Sequence, residues 1–190
     1  CPSKSLQGIG CARLTISSAA DSIAVTPKIR VLMVCLGNIC RSPTAHAVLE
    51  KMLENKNLSR AIKVDSAGTS RYHIGERPDS RSIAAAAQRG YEMEDQLARQ
   101  VCISDFHDFD YILAMDQDNL LHLKQLQPEH SKARVQLLLA YSNEADRSVP
   151  DPYFGDSERG FEKVLDIVED ACLGLLGLLE QDLKQFNEPE

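Results

Sequence analysis

An apolar run, Ile29-Arg-Val-Leu-Met-Val34, leads without a break into Cys35-Leu-Gly-Asn-Ile-Cys-Arg-Ser-Pro43. A helix-like run, Thr44-Ala-His-Ala-Val-Leu-Glu50, leaves it. No other segment constrains the fold as much. A buried strand, a tight loop and a helix form the first half of a βαβ unit, in which ligands sit at the C-terminal end of the strand. Successive loop N–H groups and the helix N-terminus point at one spot, which makes an anion site.

Two side chains turn that anion site into a reactive one. Cys35 stands at the mouth of the loop, where the N–H groups and a nearby cation favour thiolate over the free thiol of pKa ~8.5. Arg41 offers a planar fork that matches two oxygens of a tetrahedral oxyanion. Leu36, Gly37, Asn38, Ile39, Cys40 and Ser42 make up the rest of the expected phosphate-binding loop. Gly37 lets the backbone pass close to the anion. Asn38 tolerates the left-handed conformation that a tight nest requires. Ser42 can donate its hydroxyl to the Cys35 sulfur, and Pro43 fits the first helical position, where no N–H is needed. The chemistry implied is attack of Cys35 on phosphorus, with Arg41 and the loop amides holding the equatorial oxygens.

Such a reaction needs an acid for the leaving oxygen and a base for water. Asp151 lies in Val149-Pro-Asp-Pro-Tyr-Phe-Gly-Asp156. The prolines on both sides restrict its backbone and hold one carboxyl group in place. Tyr153 and Phe154 follow at once and suit an aryl leaving group. Asp156 reads instead as the cap of the helix that begins near Ser157.

Cys35 to Pro43, Asp65-Ser-Ala-Gly-Thr69, Tyr111-Ile-Leu-Ala-Met-Asp116 and Asp151-Pro-Tyr-Phe154 resemble, in that order, the low-molecular-weight protein tyrosine phosphatases. The resemblance spans about residues 29 to 185. It implies Cys35 as nucleophile, Arg41 as phosphate binder and Asp151 as acid and then base. It implies Asn38, Ser42 and Ser66 in the polar network that shapes the loop, and Tyr72, Tyr153 and Phe154 at the rim of the substrate cleft. Asp116 and Asn119 would anchor a neighbouring loop. Arg89 stands where mammalian members place a loop-supporting histidine and many bacterial members an arginine. The substrates implied are phosphotyrosine-containing proteins and small aryl phosphates.

Of the six cysteines, Cys102 and Cys172 sit in apolar patterns and are expected in the core, while Cys1 and Cys11 lie in a polar extension. No C-x2-C pair or zinc spacing occurs and the histidines are scattered, so no metal or cofactor is expected. Cys40 shares a loop with the reactive sulfur. A neighbouring thiol can trap a sulfenic acid as a reversible disulfide, so Cys40 is expected to protect Cys35 from oxidation. The family implies the same device.

Strand-like runs near 29–34, 61–66, 98–103, 110–115 and 135–139 alternate with helical runs near 43–56, 79–89, 104–108, 117–126 and 157–184. In the last, Phe161, Val164, Leu165, Val168, Cys172, Leu175, Leu176, Leu179 and Leu183 form a core-facing stripe. The expected fold is α/β: three αβα layers around a small parallel sheet of about four strands, in the flavodoxin-like order 2-1-3-4. Residues 29–187 form the phosphatase-like domain. Residues 1–28 read as a disordered extension, rich in Ser, Ala and Thr with one acidic residue. A transit-peptide remnant and an inert tail are equally compatible with it, which leaves cytosol and an organelle such as a plastid open. The net charge is −7, with +3 in residues 1–30 and −10 beyond. An acidic body argues against nucleic acid and anionic membrane as partners, and no apolar run approaches the ~20 residues of a membrane span. A monomer is expected.

Three rival functions are weighed on residues. An arsenate reductase of this fold needs relay cysteines after Ile112–Asp116, and none lies between 103 and 171. Protein-arginine phosphatases of this type carry threonine where this loop has Ile39, and an apolar residue there favours a flat aryl group. A phosphate-binding module without catalysis would need a defect in residues that are all present.

Overall fold

The computed structural model describes residues 26–143, 148–154 and 159–187. Most of the N-terminal extension, and Asp156 with its expected capping role, lie outside these residues. The sheet is built on β1 (Ile29–Cys35), which pairs in parallel with β2 (Ile62–Gly68) on one side and β3 (Tyr111–Ala114) on the other. β4 (Arg134–Leu137) adds to β3, also in parallel, and completes the expected order β2-β1-β3-β4. A strand flanked on both edges and covered on both faces reads as a near-continuous apolar run, and β1 does so in all but the partly buried Arg30.

Alternation along β1 and β3 divides two cores. Ile29, Val31, Met33, Tyr111 and Leu113 face α1 (Arg41–Asn55) and α5 (Arg159–Asn187). Leu32, Val34, Ile112 and Ala114 face the other way, onto Phe106 of the short α3 (Asp105–Asp108) and Leu123 of α4 (Gln117–Leu126). α2 (Ser80–Gln88) lies against α1 through Ala86 and Ala47. The whole stripe expected on α5, from Phe161 to Leu183, is buried. No helix among the described residues is long and apolar enough to cross a membrane.

Three details differ from the sequence reading. Residues 98–103 form no strand: Gln100 makes one isolated bridge to Gly68. The backbone beside it is taken by the preceding loop, with Gly75 N–H donating to Ala98 O (2.8 Å) and Ala98 N–H to Glu76 O (2.8 Å). Cys102 is therefore only half-buried, its sulfur 3.2 Å from Ser104 Oγ, whereas Cys172 is fully in the core. α1 starts two residues early, at Arg41, so Pro43 is its third residue. That is still within the first turn, where the N–H has no intrahelical acceptor.

α5 crosses a 3-10 turn at Leu138–Tyr141 through Gly174. A Cβ on Gly174 would stand 1.9 Å from the carbonyl oxygen of Tyr141. Gly174→Ala therefore forces helix and turn apart, and a loss of about 1–3 kcal/mol or more is expected in urea unfolding. An unchanged midpoint would contradict this packing.

Candidate active site

The loop after β1 closes around the Cys35 sulfur. Asn38 takes a left-handed conformation, φ 56°, as its residue type permits. That turns its N–H onto Cys35 Sγ at 3.2 Å. Ser42 Oγ lies 3.0 Å from the same sulfur. Both contacts strengthen when the sulfur is an anion. The loop is held from outside as well: Thr69 N–H donates to Cys35 O (2.8 Å) and Ser70 N–H to Leu36 O (2.9 Å).

Beneath the loop, Asn38 Nδ2 donates to Ser42 Oγ and to Ser66 Oγ, each at 2.9 Å, and Asn38 Oδ1 accepts from Arg99 N–H at 3.0 Å. Ser42 Oγ, already accepting from Asn38, has one proton to share between Ala67 O (3.2 Å) and the Cys35 sulfur. The Arg99 guanidinium bonds Asp65 Oδ2 (2.8 and 3.1 Å) and Asp105 Oδ2 (3.0 Å). Burial works against that charge, but Asp65 and Asp105 more than offset it and raise its pKa.

Arg41, the first residue of α1, is buried and stands between two carboxylates. Nη1 reaches Asp116 Oδ2 at 2.5 Å and Val149 O at 3.3 Å, and Nη2 reaches Asp151 Oδ2 at 2.8 Å. Desolvation opposes the charge, yet Cys35, Asp151 and Asp116 outweigh it and the pKa is raised. Asp116 also caps α4 by accepting from Asn119 N–H at 2.7 Å. Asp151 is brought over the loop because Val149 N–H docks on Met115 O (2.8 Å), just past the end of β3. Its Oδ1 accepts from Tyr153 N–H at 3.0 Å, which fixes the carboxyl group on a short turn.

Cys35, Leu36, Gly37, Ile39, Cys40, Arg41, Tyr72, His73, Asp151 and Tyr153 line one cavity of about 260 Å³. Its mouth is aromatic: Tyr72 is 79% and Tyr153 49% exposed. Arg81, paired with Asp79, stacks under the Tyr153 ring at 5.7 Å from its centroid. The structure thus gathers Cys35, Arg41, Asp151 and most of the expected binding residues in one place. Asn38, Ser42 and Ser66 lie beneath the loop as support rather than on the cavity wall. Phe154 closes a 3-10 turn, and its side chain is outside the described residues.

Arg89 is the clear correction. It ends α2 and pairs with Glu162, Asp166 and Glu169 of α5, so it clamps two helices and touches no part of the loop. Its long side chain finds three carboxylates on one helix face before it could reach the loop. Sequence reading missed Arg99, whose partners are far apart in the chain, and Gln96, whose Nε2 donates to Pro43 O at 3.2 Å. It also missed His73, whose Nδ1 lies 2.7 Å from Glu76 Oε2. Only its place beside Tyr72 could have drawn notice.

A family profile described as low molecular weight phosphotyrosine protein phosphatase matches residues 30–185. A low molecular weight phosphotyrosine protein phosphatase of Gallus gallus is 43% identical over 148 residues, covering 77% of this chain and 92% of that one. A protein tyrosine phosphatase crystal structure from Entamoeba histolytica is similar with a TM-score of 0.76 and 44% identity, over 81% of this chain and 98% of that one. A Drosophila arginine phosphatase is similar with a TM-score of 0.74 and 35% identity, over 78% and 97%.

Gly68, paired with Cys35 across the sheet, carries the loop backbone on its bare Cα. A Cβ there would meet Leu36 O at 2.7 Å and Asn38 N at 3.2 Å. Gly68→Ala should lower kcat/KM for p-nitrophenyl phosphate by about a hundredfold, the scale of an ångström misplacement, while circular dichroism reports a folded protein. Wild-type turnover in the variant would show that the loop does not depend on this contact.

Proposed function

This chain belongs to the low molecular weight phosphotyrosine protein phosphatase family, and on that premise we propose that it hydrolyses phosphotyrosine in protein substrates through a phosphocysteine at Cys35. One observation carries the reading. A sulfur that receives the Asn38 N–H, a buried guanidinium and a fixed carboxyl group share a single cavity with an aromatic mouth.

The reaction follows from these positions. The aryl group lies between Tyr72 and Tyr153, over Leu36 and Ile39. Arg41 and the loop N–H groups hold the equatorial phosphate oxygens, where transition-state charge is spread. The incoming phosphate displaces Asp151 from Arg41, and the freed carboxylate takes up a proton. Cys35 Sγ then forms a bond to phosphorus as the bond to the phenolic oxygen breaks, and Asp151 donates that proton to the oxygen. Asp151, now a carboxylate, takes a proton from water as the water attacks phosphorus and Cys35 leaves. Ser42 turns its shared proton from Ala67 O toward the sulfur whenever the sulfur carries the charge. No cofactor is needed. Cys40, on the same cavity, is the resolving thiol that closes a disulfide with oxidised Cys35.

Ile39 on the cavity wall supports an aryl ester over the phosphoguanidino group suggested by the arginine phosphatase relative. In a panel of phosphotyrosine, phosphoserine and phosphoarginine peptides, turnover should be confined largely to phosphotyrosine; preferred hydrolysis of phosphoarginine would overturn the substrate assignment. Cys35→Ser should reduce p-nitrophenyl phosphate turnover to background. Asp151→Asn should cost about 10²–10⁴-fold with phosphotyrosine and much less with p-nitrophenyl phosphate, whose leaving group needs little protonation. Equal losses on both would remove Asp151 as the acid.

A further inference from the structure

Ser82, the third residue of α2, has a buried side-chain hydroxyl with no hydrogen-bond partner. Ser82 (3% exposed) and Cys40 (5% exposed) are both buried, and the Ser82 hydroxyl favours ionisation of the Cys40 thiol. The two elements are pinned together here, since Asp79 N–H at the start of α2 donates to Ile39 O at 2.7 Å. A buried hydroxyl without a strong partner is costly and calls for an explanation. A thiol is a weak acceptor, but a thiolate is a strong one.

We propose that Ser82 is a positioning residue for the redox cycle of this site: its hydroxyl donates a hydrogen bond to Cys40 as that sulfur becomes a thiolate and attacks oxidised Cys35. The proposal rests on the reading of Cys35 as reactive thiol and Cys40 as resolving thiol. The steps balance. Hydrogen peroxide transfers one oxygen to the Cys35 thiolate, giving a sulfenic acid and hydroxide. The Cys40 thiolate then forms the S–S bond and the sulfenic S–O bond breaks, releasing a second hydroxide.

The surroundings show why a hydrogen-bond donor matters. Burial pushes the Cys40 thiol up to about 12, Ser82 works against this, and the charges of Asp79, Cys35 and Asp151 add to the rise. Arg81, also on α2, is the cation that feels Cys40, but it is committed to Asp79. Oxidation of Cys35 to a neutral sulfenic acid removes one of the opposing charges. Ser82 then acts on a thiol that has become easier to ionise at the moment its thiolate is required. Lowering a thiol pKa by one unit raises the thiolate fraction tenfold while reducing nucleophilicity about threefold, so the net gain is about threefold per unit.

The test treats full-length wild type and Ser82→Ala with one equivalent of hydrogen peroxide across a range of pH, quenches with a maleimide and reads the products by mass. At neutral pH, Ser82→Ala should close the Cys35–Cys40 disulfide about three- to tenfold more slowly. Its closure profile should move to higher pH, and more Cys35 should pass to sulfinic acid. Turnover of p-nitrophenyl phosphate before oxidation should be unchanged. In a Cys35→Ser background, the ultraviolet absorbance of the Cys40 thiolate should appear at higher pH once Ser82 is replaced. Identical closure profiles and identical Cys40 titration would overturn the proposal. Sulfinic acid without any disulfide in wild type would instead overturn Cys40 as resolving thiol, and the Ser82 role with it.

Discussion

Asn38 is the residue on which the site depends. Its backbone is left-handed so that its N–H meets the Cys35 sulfur, and its buried side chain uses both ends of the amide. The amide nitrogen joins Ser42 on α1 to Ser66 on β2, and the oxygen receives the Arg99 N–H from the loop beyond. One side chain therefore ties three separate stretches of chain under the cavity. A buried network of this kind is stable only when every member is paired, and the Asn38 amide is paired at both ends. No aspartate could replace it, since a carboxylate has no donor for the two serines.

The sheet puts this network where it can work. β1 is an interior strand whose last five residues, Val31 to Cys35, are apolar and buried on both faces, so its C-terminal end has little freedom. The loop grows from that end and rests on Gly68 of the neighbouring strand. The carboxyl group of Asp151 is delivered from the other side, through Val149 and the end of β3. Cys35 and Asp151, the proposed nucleophile and acid, are far apart in the chain, but both hang from adjacent strand ends.

Much of this was legible in the sequence because it is local. The strand, loop and helix around Cys35 announce themselves by residue type and spacing, and the α5 stripe by its period. The strand order followed from the alternation of elements together with the family resemblance. What was not legible is long-range and carried by charge. Arg89 and Arg99 look alike in the sequence; one clamps α2 to α5, and the other holds the floor of the loop through Asp65 and Asp105. An arginine's reach is decided by the carboxylates it meets, and those are set by packing. The strand-like run at 98–103 misled for a related reason: its backbone bonds are split between Gly68 at the end of β2 and the loop at Gly75 and Glu76, whose path no local pattern reveals.

Arg41 has a consequence for how the cavity handles anions. Its guanidinium already holds Asp116 and Asp151, so the empty cavity never presents a bare cation to solvent. In the proposed reaction, an arriving phosphate exchanges places with a carboxylate instead of filling a vacancy. The share of its binding that Arg41 supplies is then the difference between two ion pairs, smaller than either pair alone. The rest of the grip on that phosphate falls to the loop N–H groups, whose dipoles are fixed by the backbone and need no exchange.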